Sequence, residues 1–413
     1  MLVQLSIILL TVWLLVALLR PLGQPAVIGE MAAGFVLGPV IFGWIAPEWH
    51  GRLFAAASLG EIRGLGTLGL VLFMFLMGAE LRIDERGARH HMRAAARLAV
   101  LSVLLPFALG VAIAPWLHST FAPAGVSFWP FALFVGTALS VTALPVMARI
   151  LRERDLTASA PGRLALSAAA LGDVSAWLML AVVVAATRPA EGWERLALNF
   201  SLLVTLCAVA FGGVRPLLAR HFARRAAHEG LHASDVPVLV VGALACAFAT
   251  DYLQVHAAFG AFLFGLCLPR DDRLLAALRT RIEPMVLLVL MPCFFVLAGL
   301  DTTGHAFSGT GAALVGLILL AAIAGKLAAG VAGARWAGQS WRPALMVGAL
   351  MNARGVVELI FLKVGLDTGL IGPELFTALF ATALITTLMA SPLLARLGRS
   401  ARDDEAVAAG AKT

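Results

Sequence analysis

The chain has 413 residues, of which 61% are apolar and 13% are charged, and its mean hydropathy is +0.92. A water-soluble domain carries about a quarter charged residues. The composition therefore excludes an ordinary soluble enzyme, a disordered chain and a nucleic-acid-binding protein. The formal net charge of +7 comes from 31 Lys and Arg against 24 Asp and Glu. In so apolar a chain we expect these cations to set membrane topology.

Apolar segments long enough to cross a bilayer recur along the whole chain. One helical crossing needs about 20 apolar residues, and this criterion predicts about thirteen transmembrane helices. They lie near residues 2–19, 25–45, 62–80, 97–116, 128–150, 161–187, 195–214, 236–252, 255–268, 283–300, 311–333, 343–363 and 374–395. The sequence thus predicts an all-α polytopic membrane protein, with one transmembrane domain over residues 1–395 and a short cytoplasmic tail over residues 396–413.

The positive charges test this number of spans. If the N-terminus is outside and every span crosses, 24 of the 31 Lys and Arg fall in inner loops, 4 in outer loops and 3 within spans. Cytoplasmic loops of membrane proteins carry such an excess of positive charge, and an extra or missing span midway would mix the two sets. We therefore predict an outside N-terminus and a cytoplasmic C-terminus.

Asp173 is the clearest polar residue within a span. It lies near the middle of span six, where an ionised side chain costs several kcal/mol (order of magnitude) unless it is paired or hydrated. Ala169 and Ala170, one turn earlier, are small enough to let another helix approach. The carboxylate could simply accept hydrogen bonds from a facing helix. The functional interpretation is a carboxylate that exchanges a proton for a monovalent cation.

Three further charged residues lie within predicted spans. Lys326 is in the middle of span eleven and requires an anionic partner or backbone carbonyls. Arg354 and Glu358 in span twelve are four residues apart and share a helix face, so they can pair. This pair is either a structural support of the site or a part of it, and the sequence leaves both possibilities open.

Two spans carry signals that interrupt a helix. In span five, Pro145 has no N–H to donate, and Ser140 and Thr142 place hydroxyls beside it. A single proline is commonly only a kink, but Asp173 follows in the next span. In span twelve, Gly355 lies within a polar interruption, and the two spans run in opposite directions. Inverted repeats with interrupted helices around a midplane charge are typical of alternating-access transporters.

Several segments, taken in order over nearly the whole chain, resemble the monovalent cation:proton antiporters. The similarity is to the branch that holds bacterial sodium/proton exchangers, potassium-efflux systems and plant cation/proton exchangers. It is carried by QPAVIGEMAAGFVLGP, LGLVLFMFLMGAELRID, TALSVTALPVMARIL, ALGDVSAWL, GAFLFGLCLP, PCFFVLAGLDT and MNARGVVELIFLKVGLDTGLIGPELFT.

The resemblance implies a fold with two crossed, unwound helices, in which core helices near residues 62–187 and 283–395 are interleaved with dimerisation and linker helices. It also implies a homodimer in the lipid bilayer of a bacterial inner membrane. The expected partners are Na⁺ or K⁺ and H⁺, and we expect neither a cofactor nor a bound metal other than the transported monovalent cation.

The resemblance also assigns roles to individual residues. Asp173 matches the essential ion- and proton-binding aspartate, and Thr142 matches the polar position at the unwound crossing. Lys326 matches the basic residue of the core, and Arg354 matches the basic residue of the Asn-x-basic-Gly motif. Gly172 is a departure, because the family usually carries Asn, Asp or Gln immediately before the aspartate.

From these residues we expect an antiporter and not an enzyme. Asp173 would bind either one proton or one cation, with Thr142, Ser140 and the freed carbonyls of span five completing the oxygen ligands. If Lys326 stays protonated, exchange through a single carboxylate is one-for-one and electroneutral. The alternative is a membrane-embedded enzyme that retains the antiporter scaffold and uses Asp173 as an acid or base.

Overall fold

A computed structural model describes residues 1–55, 58–80, 88–157, 159–186, 192–226, 235–253, 256–269 and 271–410. All regular secondary structure within these ranges is helical, as the hydropathy pattern predicts. The first nine helices are α1 (Leu2–Leu19), α2 (Ala26–Leu37), α3 (Phe42–Ile45), α4 (Pro47–Leu53), α5 (Gly60–Glu80), α6 (Ala88–Phe121), α7 (Phe128–Ser140), α8 (Leu144–Glu153) and α9 (Ala160–Ala186).

The remaining helices continue the same pattern of apolar segments. They are α10 (Gly192–Val209), α11 (Arg215–Ala226), α12 (Asp235–Tyr252), α13 (Ala257–Leu266), α14 (Asp272–Arg281), α15 (Glu283–Met285), α16 (Met291–Leu300), α17 (Thr310–Trp336), α18 (Trp341–Met351), α19 (Val356–Asp367) and α20 (Pro373–Gly410). Short π-helical segments, Ala210–Val214 and Val286–Leu290, connect α10 to α11 and α15 to α16.

Ten helical stretches of the described chain are long and apolar enough to cross a membrane. Three of the predicted spans are not among these ten. Span five is divided between α7 and α8, span six corresponds to α9, and span nine corresponds to the ten-residue α13. The all-helical membrane architecture is therefore confirmed, and the count of thirteen spans stays a prediction.

Two of the predicted spans are interrupted helices. Between α7 and α8 the chain is extended, with Val141 at φ −63° and ψ 138°. Pro145 lies in the first turn of α8, where a missing N–H breaks no helical hydrogen bond. Residues 352–355 separate α18 from α19, and Gly355 immediately precedes α19. The interruptions therefore lie where the sequence predicts them.

Each interrupted helix packs closely on the helix before it, α7 on α6 and α18 on α17. A Cβ added to Gly110 of α6 would lie 2.6 Å from Cα of Gly136 in α7, and one added to Gly330 of α17 would lie 2.7 Å from Cα of Gly348 in α18. Paired glycines let two helix backbones approach closely in a membrane. The same kind of contact at both interrupted helices agrees with the predicted inverted repeat.

The chain divides by its internal packing into two compact units. The first takes in the described parts of Met1–Thr11, Glu48–Ile83 and Arg188–Leu297. The second takes in those of Val12–Pro47, Asp84–Thr187 and Ala298–Thr413, so it contains both interrupted helices. The assignment of core helices near residues 62–187 and 283–395, and of dimerisation helices between them, stays a prediction.

Substituting Gly330→Ala is expected to destabilise the second unit by about 1–3 kcal/mol, because the new methyl group would overlap the α18 backbone. The matched control is Gly316→Ala in the same helix, where nothing lies within 4 Å of an added Cβ. Thermal unfolding of both purified variants in detergent measures the difference. Equal melting temperatures for the two variants would contradict the close α17–α18 approach.

Candidate functional site

The two interruptions meet inside the second unit. The backbone N–H of Ala143, between α7 and α8, donates to the carbonyl of Ala353, between α18 and α19, over 3.2 Å. A Cβ added to Gly355 would lie 2.5 Å from Cγ2 of Val146, so a larger residue there would displace the Val146 side chain. The two unwound segments therefore cross in direct contact.

Asp173 lies on α9 beside the start of α8. Its side chain is buried, with 3% of its surface exposed. The backbone N–H of Leu144, the first residue of α8, donates to the Asp173 carboxylate. A helix N-terminus carries a partial positive charge that favours an anion. Oδ1 of Asp173 has no hydrogen-bond partner among the described residues, so this oxygen is available to a proton or a cation.

Lys326 lies on α17 and is fully buried. Its ammonium donates to the carbonyl of Ser140, to Oγ1 of Thr142 at 2.6 Å and to the carbonyl of Ser102 at 3.0 Å. An ammonium has three N–H donors, and each of them has an acceptor here. The predicted requirement for a partner is therefore met by neutral oxygens.

Ser140 and Thr142 were predicted to supply oxygen ligands for a cation, and the structure places both of them against Lys326. The hydroxyl of Ser140 donates to the carbonyl of Thr137 over 2.8 Å, and its own carbonyl accepts from the lysine. Oγ1 of Thr142 also accepts from the lysine. Both residues lie at the crossing, but in this structure their oxygens contact the ammonium of Lys326 instead of a transported cation.

Arg354 and Glu358 form the predicted ion pair, and both are fully buried. Nη1 of Arg354 lies 2.6 Å from Oε1 of Glu358. Nη1 also donates to the carbonyl of Ala138 at 3.1 Å, and Nη2 donates to the carbonyl of Leu139 at 2.9 Å. Arg354 lies in the unwound segment and Glu358 in the first turn of α19, so the pair does not lie within one continuous helix.

Four buried polar atoms around the crossing lack a partner among the described residues. They are Oδ1 of Asp173, Oδ1 of Asn352, Nε of Arg354 and Oε2 of Glu358. Buried polar atoms without a partner are rare in native structures, and they often accompany water, an ion or a catalytic role. The crossing therefore has unpaired polar atoms that could bind water or a small ion.

Sequence reasoning did not find some of the groups that complete the site. The backbone N–H of Arg354 donates to Oγ1 of Thr387 over 2.9 Å, and the side-chain amide of Asn352 donates to the carbonyl of Thr386 over 3.3 Å. Thr382, Thr386 and Thr387 stand out as hydroxyls in the apolar helix α20, which was the available signal. The carbonyl of Ser102 carries no such signal, because every residue has a carbonyl.

Gly172 precedes Asp173, and among the described residues nothing lies within 4 Å of a Cβ added there. A methyl group would therefore fit at this position, so the described packing does not require the glycine.

Residues 6–398 match the family model described as "Sodium/hydrogen exchanger, transmembrane". The chain belongs to the sodium/hydrogen exchanger family. This membership covers both interrupted helices and all the buried charges described above, and it agrees with the resemblance found in the sequence.

Three relatives of known name are 32–36% identical to this chain. The Na(+)/H(+) antiporter NhaS4 of Synechocystis is 34% identical, covering 91% of both chains. Cation/H(+) antiporter 17 of Arabidopsis thaliana is 36% identical over 95% of this chain, and K(+)/H(+) antiporter 1 of Saccharomyces cerevisiae is 32% identical over 90%. The chain spans about half the length of these two longer relatives, 48% and 43%.

A solved structure shares the fold of this exchanger-family chain. The sodium proton antiporter MjNhaP1 from Methanocaldococcus jannaschii superposes with a TM-score of 0.63, covering 95% of this chain and 97% of that one, at 17% sequence identity. At this identity the likeness concerns the fold alone.

Substituting Arg354→Met is expected to destabilise the protein by about 3–5 kcal/mol, because it leaves the charge of Glu358 buried without its partner. The matched control is Lys363→Met on α19, whose ion pairs with Asp301 and Asp367 are partly exposed. Exposed pairs contribute about 0–1 kcal/mol. Thermal or denaturant unfolding in detergent measures both variants.

The double variant Arg354→Met with Glu358→Leu is expected to recover part of this loss, because it removes both buried charges together. Recovery should be incomplete, since the carbonyls of Ala138 and Leu139 would still lack their donors. Equal losses for Arg354→Met and Lys363→Met would contradict the supporting role of the buried pair.

Proposed function

We propose that this chain is a secondary active antiporter that exchanges a monovalent cation, Na⁺ or K⁺, for a proton by alternating access. The observation that carries the proposal is the Asp173 carboxylate, which is buried at the N-terminus of a half-helix and has one oxygen without a partner among the described residues. Family membership and the functions named for the relatives support transport over a membrane-embedded enzyme.

A single carboxylate explains exchange by competition. A proton or a small cation can neutralise Asp173, but the two occupy the same oxygens and exclude each other. The naked anion is costly to move through a low-dielectric environment, so the neutral occupied forms are the ones that change access. Asn352 offers a second unpartnered oxygen at the crossing, and the freed backbone carbonyls of the two unwound segments are further candidate ligands.

Thr142 and Ser140 have a different role in this proposal than the sequence alone indicates. Their oxygens lie against the Lys326 ammonium, and a second cation bound directly to them would meet like-charge repulsion. We therefore propose that they position Lys326, while Asp173 receives the transported ion. Arg354 and Glu358 are proposed to support the crossing, and Pro145 and Gly355 to maintain the interruptions.

The contacts of Lys326 support an electroneutral, one-for-one exchange. All three N–H donors of an ammonium are used, whereas a neutral amine has only two donors and would turn a lone pair toward an oxygen. The lysine is thus expected to keep its charge through the cycle. With one carboxylate exchanging one cation for one proton, no net charge crosses the membrane.

We also propose in which membrane the protein lies and on which side its termini are. The excess of Lys and Arg in alternate loops supports an outside N-terminus and a cytoplasmic C-terminus, and the similarity to the Synechocystis antiporter supports a bacterial membrane, which we propose to be the inner one. A homodimer remains a prediction from the family likeness.

Substituting Asp173→Asn is expected to abolish cation-induced proton release from inside-out membrane vesicles, because an amide can neither ionise nor exchange a proton for a cation. The assay is a fluorescent pH-gradient measurement titrated with Na⁺, K⁺ and Li⁺. The matched control is Asp235→Asn, which changes another buried aspartate in the first unit and should retain exchange. Unaltered exchange in Asp173→Asn would contradict the assignment.

Electroneutrality is tested separately in proteoliposomes. Adding cation is expected to produce proton movement without an electrical current, and the exchange rate should not change when an ionophore sets an inside-negative membrane potential. The reason is that one positive charge enters for each one that leaves. A current that requires functional Asp173 would contradict the one-for-one stoichiometry, and the antiport proposal would still stand.

A further inference from the structure

Arginines and tryptophans from three helices meet at one end of the second unit. Nη1 of Arg97 on α6 donates to the carbonyl of Trp336 at the end of α17 over 3.3 Å, and its guanidinium lies 5.5 Å from the centre of the Trp336 ring. The guanidinium of Arg335 lies 4.7 Å from the ring of Trp341 on α18. We call Arg93, Arg97, Arg335, Trp336 and Trp341 the Arg–Trp cluster.

Within the described ranges, the arginines of this cluster have no carboxylate partner. Arg93 precedes Arg97 by one helical turn, a spacing at which like charges repel. The helices α6, α17 and α18 contain no Asp or Glu, and within the described ranges no carboxylate forms an ion pair with Arg93, Arg97 or Arg335. An anion from outside the chain would relieve this repulsion.

The opposite end of α6, together with the start of α7, can be compared with the cluster. Trp116 near the end of α6 and Trp129 at the start of α7 are also exposed, by 60% and 66%, but residues 98–148 contain no Lys or Arg. Tryptophans at both ends are usual for a membrane protein, because their rings favour the interface. In α6, α17 and α18 the arginines that stack on tryptophans lie at one end only, so the rings at that end have fixed positive charges beside them.

We propose that the Arg–Trp cluster binds the headgroup of an anionic phospholipid. Guanidinium groups donate two parallel hydrogen bonds to phosphate oxygens, and basic sites between transmembrane helices recognise anionic headgroups. Trp336 and Trp341 are 56% and 66% exposed, so their rings can pack against the glycerol and upper acyl region. The predicted topology puts this end in the cytoplasmic leaflet.

The bound lipid would join elements that lead to the candidate functional site. The helix α17 carries Lys326, and α18 leads directly into the unwound segment before Arg354. Leu98 of α6 lies against Gly333 of α17, where an added Cβ would be 2.9 Å from the Leu98 Cα. A headgroup held by Arg97 and Arg335 would therefore fasten α6 to the α17–α18 connection at the membrane surface.

Native mass spectrometry of the purified protein, titrated with phosphatidylglycerol or phosphatidylcholine in detergent, tests the proposal. The unmodified chain should retain phosphatidylglycerol under conditions that remove phosphatidylcholine. Arg97→Gln and Arg335→Gln should each weaken phosphatidylglycerol binding about fivefold, the effect of one interfacial charge, and the double variant should weaken it further.

The matched control is Arg52→Gln, which removes another arginine stacked on a tryptophan, 5.9 Å from the ring centre of Trp49, outside the cluster. It should leave phosphatidylglycerol binding unchanged. Arg93→Gln separates a loss of lipid binding from a loss of folding, because Arg93 forms no hydrogen bond or ion pair within the described part of the chain. This variant should keep its melting temperature without lipid and still lose about fivefold in affinity.

Four results would overturn the proposal. Three of them are equal retention of the two lipids by the unmodified chain, an equal loss in Arg52→Gln and Arg97→Gln, and unchanged phosphatidylglycerol binding in Arg93→Gln.

The fourth comes from competition with inorganic phosphate. Phosphate should not displace phosphatidylglycerol at matched concentration, and displacement would show that the cluster selects a free anion instead of a lipid.

Discussion

The structure of the second unit depends on how the ends of one interrupted helix are neutralised within an apolar environment. The last three carbonyls of α7 belong to Ala138, Leu139 and Ser140, and all three accept hydrogen bonds from Arg354 or Lys326. The first N–H of α8 donates to Asp173. Helix ends leave such groups unsatisfied, and lipid offers no water to satisfy them. The interruption and the buried charges therefore stabilise each other.

This arrangement separates two kinds of buried acid. Glu358 contacts a full positive charge on Arg354 at 2.6 Å, so its charge has a permanent partner. Among the described residues, the hydrogen-bond donor to Asp173 is a neutral backbone N–H, and the ammonium of Lys326 acts on Asp173 as a nearby charge while it donates its hydrogen bonds to other oxygens. A carboxylate with weak compensation gains more from binding a proton or a cation than one already paired. The contrast explains why Asp173 is the better candidate for the exchanging group.

Several elements of the site were predictable because charge is rare in apolar helices. Asp173, Lys326 and the Arg354–Glu358 pair stand out for that reason, and Pro145 and Gly355 mark the two interruptions by their backbone chemistry. The contacts of Ser140 and Thr142 were not predictable. Their hydroxyls indicate polarity at the crossing, but the lysine that contacts them lies 184 residues from Thr142 along the chain.

The sequence by itself determined the helical membrane class, the approximate spans, the positions of the two interruptions and the buried charges, because hydropathy, proline and glycine act locally. Only the tertiary structure decided which helix end receives which charge. Arg354 reaches the carbonyl of Ala138 across 216 residues, and Ala143 meets Ala353 at the crossing. Backbone donors and acceptors are identical at nearly every residue, so their pairing emerges only when packing brings distant segments together.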